Sequence, residues 1–207
     1  MPNRPNDGSS SDPDEDRASM AALCADEPAA LDRIILRHGP TLHAYLLRLL
    51  QNAEDAREVA LDTFVRVHAQ RDRFDPRRPF ATWLYTIATN LARDRLRWRQ
   101  RHPEVPLDPT PTNHPGTHTT HPPGPSLPDP ASGPVETLVH AERATAVRDA
   151  VARLPEDLRV PLLLSEFENQ PTAEIASVLG CSPKAVEMRL YRARRILRKT
   201  LAPWIQD

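Results

Sequence analysis

Two segments of this 207-residue chain carry side chains suited to gripping nucleic acid. The first is FATWLYTIATNLARDRLRWRQR, Phe80–Arg101. Phe80, Trp83 and Tyr85 lie in its first half, and Arg93, Arg95, Arg97, Arg99 and Arg101 in its second. Unstacked bases need an aromatic platform, and their backbone needs cations. Stacking is worth roughly 1–3 kcal/mol per base, comparable to the few kcal/mol that extruding a base costs. Such a surface is able to hold a melted duplex open. Trp83 is the aromatic of interest, and Asn90 faces outward beside the arginines.

The second segment, EIASVLGCSPKAVEMRLYRAR (Glu174–Arg194), reads as two short helices with a sharp bend. Ala176 is small enough for a close crossing. Gly180 tolerates the positive φ of a tight turn. Ser182 is a good N-cap, and Pro183 loses no hydrogen bond at the first helical position. Ile175, Leu179, Val186 and Leu190 fall where the two helices share a core. This is a helix–turn–helix. Its second helix turns Lys184, Glu187, Met188, Arg189, Tyr191, Arg192 and Arg195 outward. Early residues of such a helix reach base edges in the major groove, and cations farther along meet phosphates.

Other chemistry finds little support. Hydrolysis of nucleic acid needs carboxylates or histidines clustered around a metal. The acids here are scattered or lie in the N-terminal tail. His114, His118 and His121 sit in a Pro-rich stretch without the fixed geometry that metal ligation requires. No catalytic residue, metal, cofactor or small-molecule substrate is expected. Cys24 and Cys181 are far apart and form no CxxC, which reads as two reduced thiols.

These side chains are positioned by helices. Apolar residues make up 39% of the chain, below the roughly 45–50% of globular proteins, so part of it buries nothing. Residues 1–19 are acidic and polar and read as a disordered tail. Residues 20–101 form a helical lobe. Leu31, Ile34, Ile35, Leu42, Tyr45, Leu46 and Leu49 recur at helical spacing, interrupted at Gly39-Pro40. Val59, Phe64, Val65 and Val67 mark a second stripe, and Phe80, Leu84, Ile87 and Leu91 a third. Residues 102–134 are a Pro-rich linker. Residues 135–207 form a second helical lobe, with Leu138, Val147, Val151 and Leu154 on one helix and Leu158, Leu162, Leu163 and Phe167 on the next. The fold class is all-α, as two small lobes on a tether.

The formal net charge is −1, but its distribution is polarised, with an acidic start and two arginine-rich helices. No apolar run approaches the roughly 20 residues of a membrane span, and the N-terminus has no signal-peptide core. A cytoplasmic protein without membrane insertion is expected.

Three stretches, in order, resemble the extracytoplasmic-function sigma factors of bacterial RNA polymerase. NAEDAREVALDTFVRVHAQRDRFDP is similar to the family's polymerase-binding helix and following loop. FATWLYTIATNLARDRLR is similar to its promoter-melting helix. LPEDLRVPLLLSEFENQPTAEIASVLGCSPKAVEMRLYRARRILR is similar to its C-terminal helix–turn–helix domain. The resemblance implies a sigma domain 2 bundle and a sigma domain 4 helix–turn–helix. It implies that Glu58, Leu61, Asp62 and Arg66 dock on the β′ clamp helices of core RNA polymerase, and that the β flap is a further contact. Phe74, Trp83, Ile87, Asn90, Arg93 and Arg97 would bind and melt the −10 element. Lys184, Glu187, Met188, Arg189, Tyr191 and Arg192 would read the −35 element. Promoter DNA and an anti-sigma factor follow as partners. The family usually carries Gln at Leu61, often Trp at His68, and often Lys or Arg at Glu187. A carboxylate at that last position accepts from the cytosine amino group.

The linker tests this reading by length. Promoter elements roughly 17–20 base pairs apart are separated by about 60 Å. Thirty-odd residues reach about 100 Å when extended, or average about 30 Å as a coil. The tether reaches but sets no distance, so the polymerase must act as the ruler. The alternative, a freestanding helix–turn–helix regulator, requires dimerisation and a palindromic site, and the sequence has no evident dimerisation helix or sensor domain.

Overall fold

A computed structural model of the chain describes residues 13–102 and 134–205. Residues 1–12, the Pro-rich segment with His114, His118 and His121, and residues 206–207 lie outside the described residues. So do the side chains of residues 134–140, Leu138 included. The described residues are helical, with no strand. In chain order they form α1 (Pro13–Cys24), α2 (Ala30–Leu50), α3 (Ala53–Ala69), a 3-10 turn (Arg71–Arg73) and α4 (Phe80–Arg101). After the linker come α5 (Pro134–Ala152), α6 (Glu156–Glu166), α7 (Thr172–Leu179), α8 (Pro183–Thr200) and α9 (Ala202–Ile205).

In the first lobe, α2 packs against α3 and α4. Ile34, Leu42, Tyr45, Leu46 and Leu49 of α2 meet Val59, Phe64 and Val67 of α3 and Leu84 and Ala88 of α4, all buried. The break between α2 and α3 is encoded locally. Gln51 takes a left-handed conformation at φ 56°, and the Asn52 side chain accepts from the Asp55 N–H at 2.9 Å, capping α3. Glu54 and Asp55 in the first turn and Arg66 in the last suit the helix dipole. Val65, expected in the core, is 64% exposed. Its position rotates onto the outer face with Leu61, because Phe64 and Val67 take the inward one.

Two expectations are corrected. The helix α2 runs unbroken through Gly39-Pro40. Pro40 is exposed, so its ring projects to solvent, and the helix continues past the one amide it lacks. Residues 13–19, expected within a disordered tail, are instead helical, because α1 begins at Pro13. Met20 and Leu23 are buried at 1% and 3% exposure, each worth about 1.5–3 kcal/mol. Asp16, which reads as a solvated acid, is buried against α2. Its Oδ1 lies 2.8 Å from His38 Nε2 and 2.9 Å from Arg37 Nη1. Burial alone would raise the Asp16 carboxyl, but the bonds and charges of His38 and Arg37 outweigh it and hold it below the usual range.

The second lobe packs α6, α7 and α8 around Leu162, Leu163, Leu164, Ile175, Val178, Val186 and Leu190, with Val151 and Leu154 closing one side. Pro161 lies inside α6. The two lobes are in contact. Thr82 Oγ1 of α4 donates to Glu174 Oε2 of α7 at 2.6 Å. Tyr85 Oη donates to Glu168 Oε2. Arg93 Nε donates to Glu156 Oε1 at 2.8 Å. The Arg48 guanidinium lies 4.4 Å from the Phe167 ring centroid.

Candidate nucleic-acid interface

The bend between α7 and α8 is built by local chemistry. Gly180 has φ 60° and ψ 38°, a conformation that favours glycine. The Cys181 N–H reaches back to the Ala176 carbonyl at 3.0 Å, closing the end of α7. Ser182 Oγ accepts from the Ala185 N–H at 3.2 Å, and Pro183 opens α8. Ile175, Ala176, Val186 and Leu190 are buried, and Leu179 packs on their edge. With its inner side filled, α8 turns Lys184, Glu187, Met188, Tyr191 and Arg192 to solvent.

Two of these groups already have intramolecular partners. Lys184 Nζ donates to Glu187 Oε2 at 2.9 Å, one turn along. Arg189 is half-buried, and its Nη1 lies 3.7 Å from Cys181 Sγ. Arg194, on the far side, binds Glu166 at 2.6 Å. Arg192 and Arg195 are exposed cations of α8, and the Arg189 guanidinium is turned back onto the turn.

At the start of α4 an aromatic cluster forms. Phe74 lies 5.8 Å from Phe80 and 5.4 Å from Trp83, and Phe80 lies 6.1 Å from Trp83, by ring centroids. Phe80 is buried, while Phe74 and Trp83 are half-buried and form its open side. The six residues expected at the −10 element divide in three ways. Asn90 and Arg97 are exposed, Arg97 beside Asp94 at 3.3 Å. Phe74 and Trp83 share the cluster. Ile87 is only 8% exposed, and Arg93 is engaged by Glu156. The acids that meet α4 and α2, namely Glu156, Glu168 and Glu174, were missed by sequence reasoning. Each reads as an ordinary surface acid, and its partner on α4 lies 63 to 92 residues away.

On α3, Glu58, Leu61, Asp62, Val65 and Arg66 form one exposed stripe at helical spacing. Leu61 is 62% exposed and Val65 64%. Glu58 pairs with Arg95 of α4, and Arg95 and Arg99 lie 3.4 and 3.2 Å from Asp55. The four residues expected to bind polymerase are thus on one outward face. Among the described residues no group of three or more His, Cys, Asp or Glu could hold a metal ion.

Residues 34–102 match the Sigma-70 region 2 family, and residues 144–197 match Sigma-70 region 4. The chain is 31% identical over 154 residues to the ECF RNA polymerase sigma factor SigW of Bacillus subtilis, covering 74% of this chain and 79% of that protein. It is 31% identical over 172 residues to the RNA polymerase sigma factor CarQ of Myxococcus xanthus, covering 83% and 89%. The chain belongs to the ECF RNA polymerase sigma factors. Its fold is similar to the structure of CnrH in complex with the cytosolic domain of CnrY, at TM-score 0.65 and 27% identity, over 92% of this chain and 99% of that one. It also shares the fold of the sigma factor RpoE of Bartonella quintana, solved with the anti-sigma factor NepR, at TM-score 0.61 and 20% identity, over 86% and 99%.

In this sigma factor, region 2 spans most of α2 and all of α3 and α4. Region 4 spans the second half of α5 through most of α8. The helix α1 precedes both. No helix among the described residues is long and apolar enough to cross a membrane. At the junction of the two regions, burial pushes the Tyr85 phenol well above its ordinary value, and the neighbouring Glu168 adds to this. Burial likewise raises Glu168, with the Tyr85 hydrogen bond and the Arg48 charge offsetting part of the rise. Tyr45, buried behind them, donates to or accepts from Thr89 Oγ1 at 2.8 Å.

Proposed function

We propose that this sigma factor uses three surfaces in a fixed division of labour. The stripe Glu58, Leu61, Asp62, Val65 and Arg66 on α3 docks on the β′ clamp helices of core RNA polymerase, and the region 4 lobe meets the β flap. Two exposed apolar side chains rimmed by charge suit such a partner surface. The outer face of α8, from Lys184 to Arg192, reads the −35 element. Phe74 and Trp83 take an unstacked base of the −10 element, with Asn90, Arg93 and Arg97 along the exposed strand and Ile87 behind it. The protein contributes no covalent chemistry, and its place of work is the cytoplasm.

The observation that carries this reading is the capped α7–α8 bend. It presents Glu187, Met188, Tyr191 and Arg192 outward from a helix whose inner side is fully packed. The contact between lobes adds a condition. Glu174, Glu168 and Glu156 occupy Thr82, Tyr85 and Arg93 of α4, so the lobes separate when α4 engages the melted strand. Arg93 is released in the same step. The relatives solved with CnrY and with the anti-sigma factor NepR support an anti-sigma partner for this chain as well.

Run-off transcription tests the whole reading. Core polymerase supplemented with the purified protein should start transcripts from a subset of genomic fragments, and the protein should co-purify with β and β′. A freestanding regulator would instead footprint a palindrome without polymerase.

A further inference from the structure

The helix α1 lies outside both matched regions, yet it and the residues just after it reach the segment between α3 and α4 at three points. Arg17 Nε donates to the Pro76 carbonyl at 3.0 Å, and Arg17 Nη1 is anchored on Asp14 at 2.7 Å. Cys24 Sγ lies 3.6 Å from the Arg71 carbonyl, and just beyond α1 Asp26 accepts from Arg71 Nη2 at 2.8 Å. Asp16 holds His38, whose ring lies 4.9 Å from that of Phe80. The start of the loop, its middle and the aromatic floor beneath it are thus all tied to one element.

The loop has little of its own to hold it. Between Arg73 and Phe80 the sequence FDPRRP forms no helix. Its ties are short-range: the Phe74 N–H to the Arg71 carbonyl at 3.2 Å, the Arg78 N–H to the Asp75 carbonyl at 2.9 Å, and the Arg77 N–H and Nε to Asp75 Oδ1 at 3.0 and 3.2 Å. A side chain offered by such a loop must be ordered when a base arrives, and each residue ordered at that moment costs roughly 1–2 kcal/mol. Ordering it beforehand removes that cost from the opening step.

We propose that α1 is a brace for the base-accepting loop, with Arg17 and His38 as positioning residues that keep Phe74, Phe80 and Trp83 assembled before DNA is melted. The inference rests on the reading of Phe74 and Trp83 as the strand-opening surface.

The test uses core polymerase reconstituted with full-length wild-type, Arg17→Ala, Arg17→Lys and Trp83→Ala proteins on a promoter identified by run-off transcription. Arg17 is half-exposed, so its loss leaves the core intact. Closed-complex affinity and the rate at which thymines become reactive to permanganate are measured separately. Arg17→Ala should slow opening by about threefold to tenfold, the weight of one lost hydrogen bond, with closed-complex affinity unchanged. Arg17→Lys, which keeps a donor, should recover most of the rate. If Trp83→Ala slows opening and Arg17→Ala does not, the brace is wrong and the surface stands. If Arg17→Ala weakens both steps equally, its role is general stability and the brace is wrong. If Trp83→Ala has no effect on opening, the surface itself is misassigned and the brace goes with it.

Discussion

Thr82 on α4 and Glu174 on α7 are hydrogen-bonded at 2.6 Å across 92 residues of sequence. This contact joins α4 of region 2 to the helix–turn–helix, and it does not stand alone. Glu168 receives Tyr85, and Glu156 receives Arg93. Acids of region 4 thereby occupy donors of region 2. The surfaces proposed for polymerase and for the −35 element stay open, since Leu61, Val65 and Tyr191 are all at least 60% exposed. Both proposed surfaces are therefore accessible while the lobes are in contact.

Removing two of these contacts should open the free protein. Each hydrogen bond contributes about 1 kcal/mol, so Glu168→Ala with Glu174→Ala should move the closed-to-open ratio by roughly thirtyfold. Energy transfer between labels on α3 and α8 reads the change directly. Unchanged transfer would show that the lobes are held by something else.

The same interface should respond to pH. Burial holds Glu168 above its ordinary 4.5 in the closed form, and separation of the lobes relieves that burial. The closed form thus binds the proton more tightly. Its population should rise as pH falls from neutrality toward the raised value. Glu168→Gln should stay closed and lose the dependence. Asp16 acts in the opposite sense and lower. Its depressed carboxyl stabilises the lobe above its ordinary 3.8, and that contribution is lost as pH falls through its folded value. Closure on mild acidification and unfolding at stronger acidity should therefore be separable by following energy transfer and circular dichroism together.

On α8, Arg192 and Glu187 should behave differently. Arg192→Ala should weaken binding of the holoenzyme to all promoters alike and reduce the salt slope by about 1. Glu187→Arg should shift the preferred −35 sequence, with a change of about 1–3 kcal/mol at one position. Selection from a library of −35 variants by each holoenzyme distinguishes the two outcomes.

On α3, Leu61→Glu and Val65→Glu should each weaken association with core polymerase by at least about tenfold, the scale of an interface anchor. Because both side chains are exposed, thermal stability should stay within about 0.5 kcal/mol of wild type. Fluorescence anisotropy against core enzyme, paired with a thermal melt, checks both statements.

Much of this architecture was legible in the chain itself. Gly180, Ser182 and Pro183 specify the bend between α7 and α8 through bonds that span at most five residues. The inward line Phe80, Leu84, Ile87 on α4 follows from helical period, as does the outward position of Asn90, while Glu58, Leu61, Asp62 and Arg66 of α3 are singled out by the family resemblance alone. Val65 shows the limit of that method, because a hydrophobic residue at the edge of a stripe can turn either way until the neighbouring helix takes its place.

What tertiary structure decided was the choice of distant partners. Asp16 is a solvated acid by its surroundings in sequence, and becomes a buried anchor only because Arg37 and His38 arrive twenty-odd residues later. Arg93 is a cation free for DNA on its own helix, and a partner of Glu156 once the lobes meet. Caps, turns and periodic faces are settled within a turn or two of chain. Desolvation and pairing of charges depend on which surfaces come together, and no local pattern carries that information.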